Sequence, residues 1–192
     1  MSKYNEHHND DYLLKHNLLG VTTFEKLAEA EAFVFSIRAL QVEQQAYEIH
    51  SFTLNEFKLL HHHLFQDVYP FAGVFRDVQL MKGMTRFCQF QYIDLYAEDL
   101  FKQLQKEPIW TTLEEAAKRL AYYKAELNML HPFREGNGRT TRIFIQKYAE
   151  SQNIRWHYAK MERTIYIDAM IRSKGYLDKL ESIFFKTIEF ID

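Results

Sequence analysis

Apolar positions recur at steps of three and four along most of the chain, and several of these runs open with a threonine followed three residues later by a glutamate. Such a pair satisfies the free N–H groups of a first turn, so each one marks a helix start. Thr22 with Glu25 opens a helix to about Glu48, with Leu27, Ala30, Val34 and Ile37 on one face. Thr53 with Glu56 opens the next, whose stripe is Phe57, Leu60 and Leu64. It must stop before Tyr69-Pro70, because the residue before a proline avoids α geometry. Ile93, Tyr96, Ala97, Leu100 and Leu104 mark a third, ending near Pro108. Thr112 with Glu115 opens a fourth, with Ala116, Leu120, Tyr123, Leu127 and Leu130 in register, and this helix stops at His131-Pro132. A fifth begins just after Gly138 and runs to about Glu150, and two more are expected from Arg163 to Ile171 and from Leu177 to Ile191. One stretch departs from helical spacing. Val74 to Leu80 and Thr85 to Phe90 alternate imperfectly around Met81-Lys82-Gly83-Met84, which predicts a β-hairpin. A lone hairpin in a helical protein must pack on something, and its open edge can accept a strand from another chain.

No internal repeat, low-complexity tract or Pro/Gly/Ser-rich linker divides the chain, so residues 1–192 are expected to form one mainly α domain. Composition narrows this further. With 24 basic and 26 acidic side chains the net charge is −2, which argues against a broad basic face for nucleic acid. A single cysteine, Cys88, excludes an intrachain disulfide and a cysteine-rich zinc site, and fits a reducing compartment. No apolar run approaches the ~20 residues that span a bilayer. The polar start Met1-Ser2-Lys3-Tyr4 has no signal-peptide core. The expectation is a soluble, cytoplasmic protein without nucleic-acid or membrane partners.

The chemistry is concentrated in His131-Pro132-Phe133-Arg134-Glu135-Gly136-Asn137-Gly138-Arg139-Thr140-Thr141-Arg142. His131 ends a helix, where the dipole favours imidazolium, and Pro132 is expected to hold it extended. A histidine there can serve as a proton acceptor near neutral pH. Gly136-Asn137-Gly138 permits left-handed backbone and close approach of a ligand, and its consecutive N–H groups can form an anion-binding nest. A helix N-terminus follows, adding positive potential. Arg139 and Arg142, three apart, share a helix face and suit phosphate oxygens. Glu135 beside such a cradle makes sense with a divalent cation between them, and Mg²⁺ characteristically binds through one carboxylate plus phosphates. Taken singly, a histidine, a Gly-Asn-Gly turn or a carboxylate near arginines is usually structural. Their contiguity is what points to a site.

This segment resembles the signature of the Fic domain family, His-x-Phe-x-(Asp/Glu)-Gly-Asn-Gly-Arg-x-x-Arg, at every fixed position. Asn128 and the stretch Phe71-Ala72-Gly73-x-x-Arg76 with Lys82-Gly83 and Phe87 extend the likeness, which covers roughly Leu54 to Ile171. The resemblance implies a helical Fic fold with a β-hairpin flap over the active site. It implies transfer of AMP from ATP to a Ser, Thr or Tyr hydroxyl of a target protein, with release of pyrophosphate. His131 would deprotonate that hydroxyl, and Glu135 would hold Mg²⁺. Gly136, Asn137, Gly138, Arg139 and Thr140 would cradle the nucleotide, and Arg142 would hold the γ-phosphate. Lys82, Gly83 and Phe87 would lie on the flap, Lys82 and Gly83 near the nucleotide and all three where the target pairs as an added strand. Phe133 would anchor the loop in the core, and Arg134 would be solvated.

Two features separate this chain from relatives within the family. A branch that transfers phosphate carries lysine at the position of Gly138, and phosphocholine-transferring members alter the position of Gly136; both glycines are intact. The family's inhibitory pattern (Ser/Thr)-x-x-x-Glu-(Gly/Asn) is not completed: Ser2 to Glu6 is followed by His7, and Thr111 to Glu115 by Ala116. A separate small antitoxin-like protein is therefore expected to supply the glutamate. The alternatives are a nucleotide-binding module without turnover, and a Fic-type enzyme that removes AMP or transfers another phosphate-containing group. Elsewhere, His61-His62-His63 is read as a helix face, exposed or partly buried, rather than a metal site, because adjacent helix positions point apart. His7-His8 is read as a disordered terminus, and Trp110 and Trp156 as core.

Overall fold

The Thr53 and Thr112 hydroxyls each accept a hydrogen bond from the backbone N–H three residues on, at Glu56 and Glu115, both at 3.2 Å, and a helix begins at the next residue in each case. The computed structural model describes residues 7–191. Within it the helices are α1 (His7–His16), α2 (Phe24–Glu43), α3 (Leu54–Phe65), α4 (Ile93–Leu104), α5 (Leu113–Leu130), α6 (Asn137–Ser151), α7 (Arg163–Arg172) and α8 (Asp178–Thr187). Short strands β1 (Met81–Lys82) and β2 (Thr85–Arg86) pair antiparallel, as do β3 (Ile154–Trp156) and β4 (Ile188–Phe190). The class is mainly α with a small hairpin, as the pattern predicts.

Helix α5 is the central element. Its predicted stripe of Ala116, Leu120, Tyr123, Leu127 and Leu130 is buried throughout, against α4, α6 and α8. One apolar cluster extends from Leu13 on α1 to Ile188 on β4 and takes in Trp110 and Trp156. None of the helices among the described residues is long and apolar enough to cross a membrane.

Several expectations need correction. Helix α2 is capped by Thr23, not Thr22, and ends at Glu43, not Glu48. Its end is a Schellman-type cap built without glycine: Gln45 is left-handed (φ 58°), Gln45 N–H donates to Val42 and Ala46 N–H to Gln41. Of its predicted face, Leu27 is buried but Ile37 is exposed, because α2 is apolar on nearly every side and the pattern does not single out one. The last predicted helix stops at Thr187, and the next residues form β4 on β3. His7 and His8 open α1 rather than a disordered terminus. Ser2 to Glu6 lies outside the described residues.

The hairpin is also shorter than predicted. Only Met81↔Arg86 and Lys82↔Thr85 pair, across a turn with Gly83 at φ 57°. The upstream half is not a strand because Arg76 ties it to the motif loop instead. Its backbone N–H donates to Pro132, and its guanidinium donates to the carbonyls of His131 (2.7 Å), Val78 and Cys88 (2.6 Å each). A buried arginine that saturates carbonyls from three segments fixes the flap's root against the end of α5.

Candidate active site

The chain leaves α5 at His131 in a left-handed conformation (φ 44°, ψ 56°), which corrects the extended geometry expected from Pro132. Its backbone N–H still bonds Leu127, and its carbonyl is taken by Arg76. The combination of helix cap and arginine tie holds a backbone that the proline alone would disfavour. Asn128 O lies 3.2 Å from His131 Nδ1, which suits a proton on Nδ1 and a lone pair on Nε2. Phe87, just past β2, stacks flat on the imidazole with centroids 3.7 Å apart and 9° between planes. Phe87 is thus buried against His131 at the cavity wall.

The loop that follows is pinned from below. Phe133 is fully buried and stacks on His61 at 3.7 Å, as an anchor should. His61 is itself a residue the sequence reading misjudged. It is buried, accepts from Gly73 N–H at Nδ1 (2.8 Å), and so donates from Nε2 to the Glu135 carbonyl (3.0 Å). Burial pushes its pKa down to about 3, which keeps it neutral and fixes that tautomer. His63 is also largely buried and bonds the Arg38 carbonyl, while His62 is exposed. No metal-binding group of three or more His, Cys, Asp or Glu exists among the described residues. Arg134, expected in solvent, is instead mostly buried, ion-paired to Asp77 at 2.6 Å and laid over the Tyr12 ring.

Gly136 turns the chain into α6 at φ 76°, and a Cβ there would lie 2.4 Å from the Phe65 ring, so both backbone and space demand glycine. The Asn137 side chain clamps the loop, accepting from Phe133 N–H (2.8 Å) and donating to Phe133 O (2.6 Å). Both bonds tie the amide to the loop rather than leaving it to swing. Thr140 does not reach the cavity; it is fully buried and its hydroxyl donates back to Gly136 O. A Cβ at Gly138 would meet open space.

Above α6 lies a cavity of about 640 Å³. It brings together His131, Glu135, Gly136, Asn137, Gly138, Arg139, Arg142, Lys82, Gly83 and Phe87, every sequence-predicted site residue except Thr140. Glu135 Oε1 accepts from Gly136 N–H (2.9 Å) and from Arg139 (3.3 Å). Arg139 is also paired with Glu31 of α2, whose other oxygen accepts the Tyr69 hydroxyl. The Arg142 guanidinium lies 4.6 Å above the Tyr158 ring. Sequence reasoning missed Glu31, Lys124 and the largely apolar wall of Tyr158, Tyr166, Ile167, Met170 and Ile171. Only Lys124 left a signal, since it stands four and seven residues before Asn128 and His131 on one helix face.

A family model described as the Fic/DOC family matches residues 51–149. The chain is 36% identical over 180 residues to the protein adenylyltransferase VbhT of Bartonella schoenbuchensis, covering 90% of this chain and 37% of that protein. It is thus similar to little more than a third of that relative's length. It is 31% identical over 175 residues to the probable protein adenylyltransferase Fic of Escherichia coli (strain K12), covering 90% and 86% of the two chains. Among solved structures, the N-terminal Fic domain of a VirB-translocated Bep effector protein from Bartonella quintana, with bound ADP, superposes with a TM-score of 0.81 at 20% identity over 92% of this chain and 91% of that one. BepC from Bartonella tribocorum, with bound AMPPNP, gives 0.79 at 20% identity over 92% of each. The chain belongs to the Fic/DOC family.

Proposed function

We propose that this chain is a protein adenylyltransferase that moves AMP from ATP to a hydroxyl side chain of a target protein. The observation that carries the reading is the meeting, in one cavity, of His131 with the glycine-rich N-terminus of α6 and its two arginines. The naming of relatives at 31–36% identity as adenylyltransferases supports it. Nε2 of His131 takes the proton of the target hydroxyl, whose oxygen attacks the α-phosphorus. The bond from that phosphorus to the bridging oxygen breaks, and pyrophosphate leaves with the electron pair. The Gly136–Gly138 backbone and Arg139 hold the phosphates, and Arg142 holds the far end. Such reactions depend mainly on positioning and charge neutralisation.

Glu135 is the residue that would hold Mg²⁺, and that ion would neutralise phosphate charge at the reacting end of the nucleotide. Among the described residues one buried carboxylate stands at the cavity wall, which fits a metal whose other ligands are phosphates and water. The open space at Gly138 favours AMP transfer over the phosphate-transferring chemistry of relatives with lysine there. The exposed flap tip, Lys82 and Gly83, is where the target's backbone pairs as an added strand. Work on ATP accords with the cytoplasm as its place of action. Restraint falls to a separate antitoxin-like protein that offers a carboxylate to Arg142; full activity without toxicity in cells lacking any partner would count against this.

Labelled ATP, Mg²⁺ and cell lysate test the function. The wild-type chain is expected to label a discrete target. His131→Ala should lower transfer by about 10²–10⁴-fold while ATP binding persists. Equal labelling by the variant would remove His131 from its role, and ATP binding without labelling would favour a module that does not turn over.

A further inference from the structure

Lys124, Asn128 and His131 stand four and three residues apart on α5, and all three line the cavity. That spacing places them on one helix face. Asn128 and His131 have partners in the motif; Lys124, two turns earlier, has no part in the mechanism above. It is 3% exposed, and among the described residues its ammonium has neither an ion pair nor a hydrogen bond. A lysine is almost never buried this fully without a carboxylate. Here the nearest charge is of the same sign. Desolvation and the Arg142 guanidinium lower the Lys124 pKa to about 7. Arg142 in turn has Tyr158 beneath it and no carboxylate within ion-pair distance among the described residues. The α5–α6 wall of the cavity thus holds two cations without an anion, whereas Arg139, one turn away, is matched by Glu31 and Glu135.

A buried lysine beside a half-buried arginine is disfavoured in the resting protein, so the arrangement makes sense as preparation for an incoming anion. Position selects which one. Seven helical residues separate Lys124 from His131, about 10 Å along the axis, so Lys124 lies away from the reacting phosphorus. We infer that Lys124 is a second binding group for the terminal phosphate of the nucleotide, acting beside Arg142. An arriving phosphate, with more than one negative charge, also favours the ammonium form of Lys124. This rests on the adenylyltransferase reading, because it assumes that a nucleoside triphosphate occupies the cavity.

The test is calorimetric titration of the whole chain with Mg²⁺ and either a non-hydrolysable ATP analogue or AMP. Lys124→Met keeps the apolar stem and removes the charge; Lys124→Arg keeps the charge. The Met variant should lose affinity for the ATP analogue by about 10-fold or more, the scale of one charge-assisted hydrogen bond, and change little for AMP. The Arg variant should retain most of the triphosphate affinity. The melting temperature of Lys124→Met should equal or exceed that of the wild type, because an unpaired buried cation is gone. Unchanged ATP affinity in Lys124→Met, or parallel losses for ATP and AMP, overturns the assignment while leaving the transferase intact. Failure of the wild type to bind the ATP analogue at all overturns the transferase reading and this inference with it.

Discussion

Arg139 and Arg142 sit three residues apart on α6 and line the same cavity, yet their surroundings are opposites. Arg139 is held between Glu31 and Glu135 and covered by the Phe35 and Phe65 rings. Arg142 has a tyrosine face and a neighbouring lysine. The first arginine is therefore part of the protein's own charge balance before any substrate arrives. The second has no carboxylate within ion-pair distance among the described residues. Within one motif, one cation is matched by the protein's own carboxylates and the other is not.

The contrast can be broken by mutation, and stability is where it should be largest. Arg139→Ala removes the guanidinium that pairs with two buried carboxylates, Glu31 and Glu135, and should cost about 3 kcal/mol or more in denaturant unfolding, because breaking buried ion pairs from one side is strongly destabilising. A loss below about 1 kcal/mol would mean that Arg139 is no more embedded than Arg142. Glu31→Gln keeps a partner for Tyr69 but removes half of the countercharge; a smaller loss, about 1 kcal/mol, is expected by the same measurement. Arg142→Ala should leave unfolding within about 0.5 kcal/mol of the wild type while weakening ATP binding, since among the described residues its guanidinium has no ion pair and rests on the Tyr158 face. A marked destabilisation by Arg142→Ala would erase the distinction.

The same contrast explains what could be read along the chain. Residues 131–142 were legible because the histidine, the carboxylate, the glycine-rich turn and the arginines are contiguous, and short-range geometry places them. The starts of α3 and α5 were legible because a Thr cap acts over three residues. What was not legible depends on distant partners. Glu31 reaches Arg139 from 108 residues away. His61 becomes a neutral tie under the loop only because Phe133, Gly73 and the Glu135 carbonyl enclose it. Arg134 leaves solvent for Asp77 and Tyr12, 57 and 122 positions upstream, for the same kind of reason.

Periodicity and local capping thus determine that the chain is helical and where its reactive loop falls, since both act within a few residues and need no folded context. The pairing of charges does not follow from them. Which arginine is neutralised, which lysine is enclosed, and how far the hairpin extends were decided when α2, α5, α6 and the flap root packed together. Burial removes the water that would otherwise make those choices indifferent.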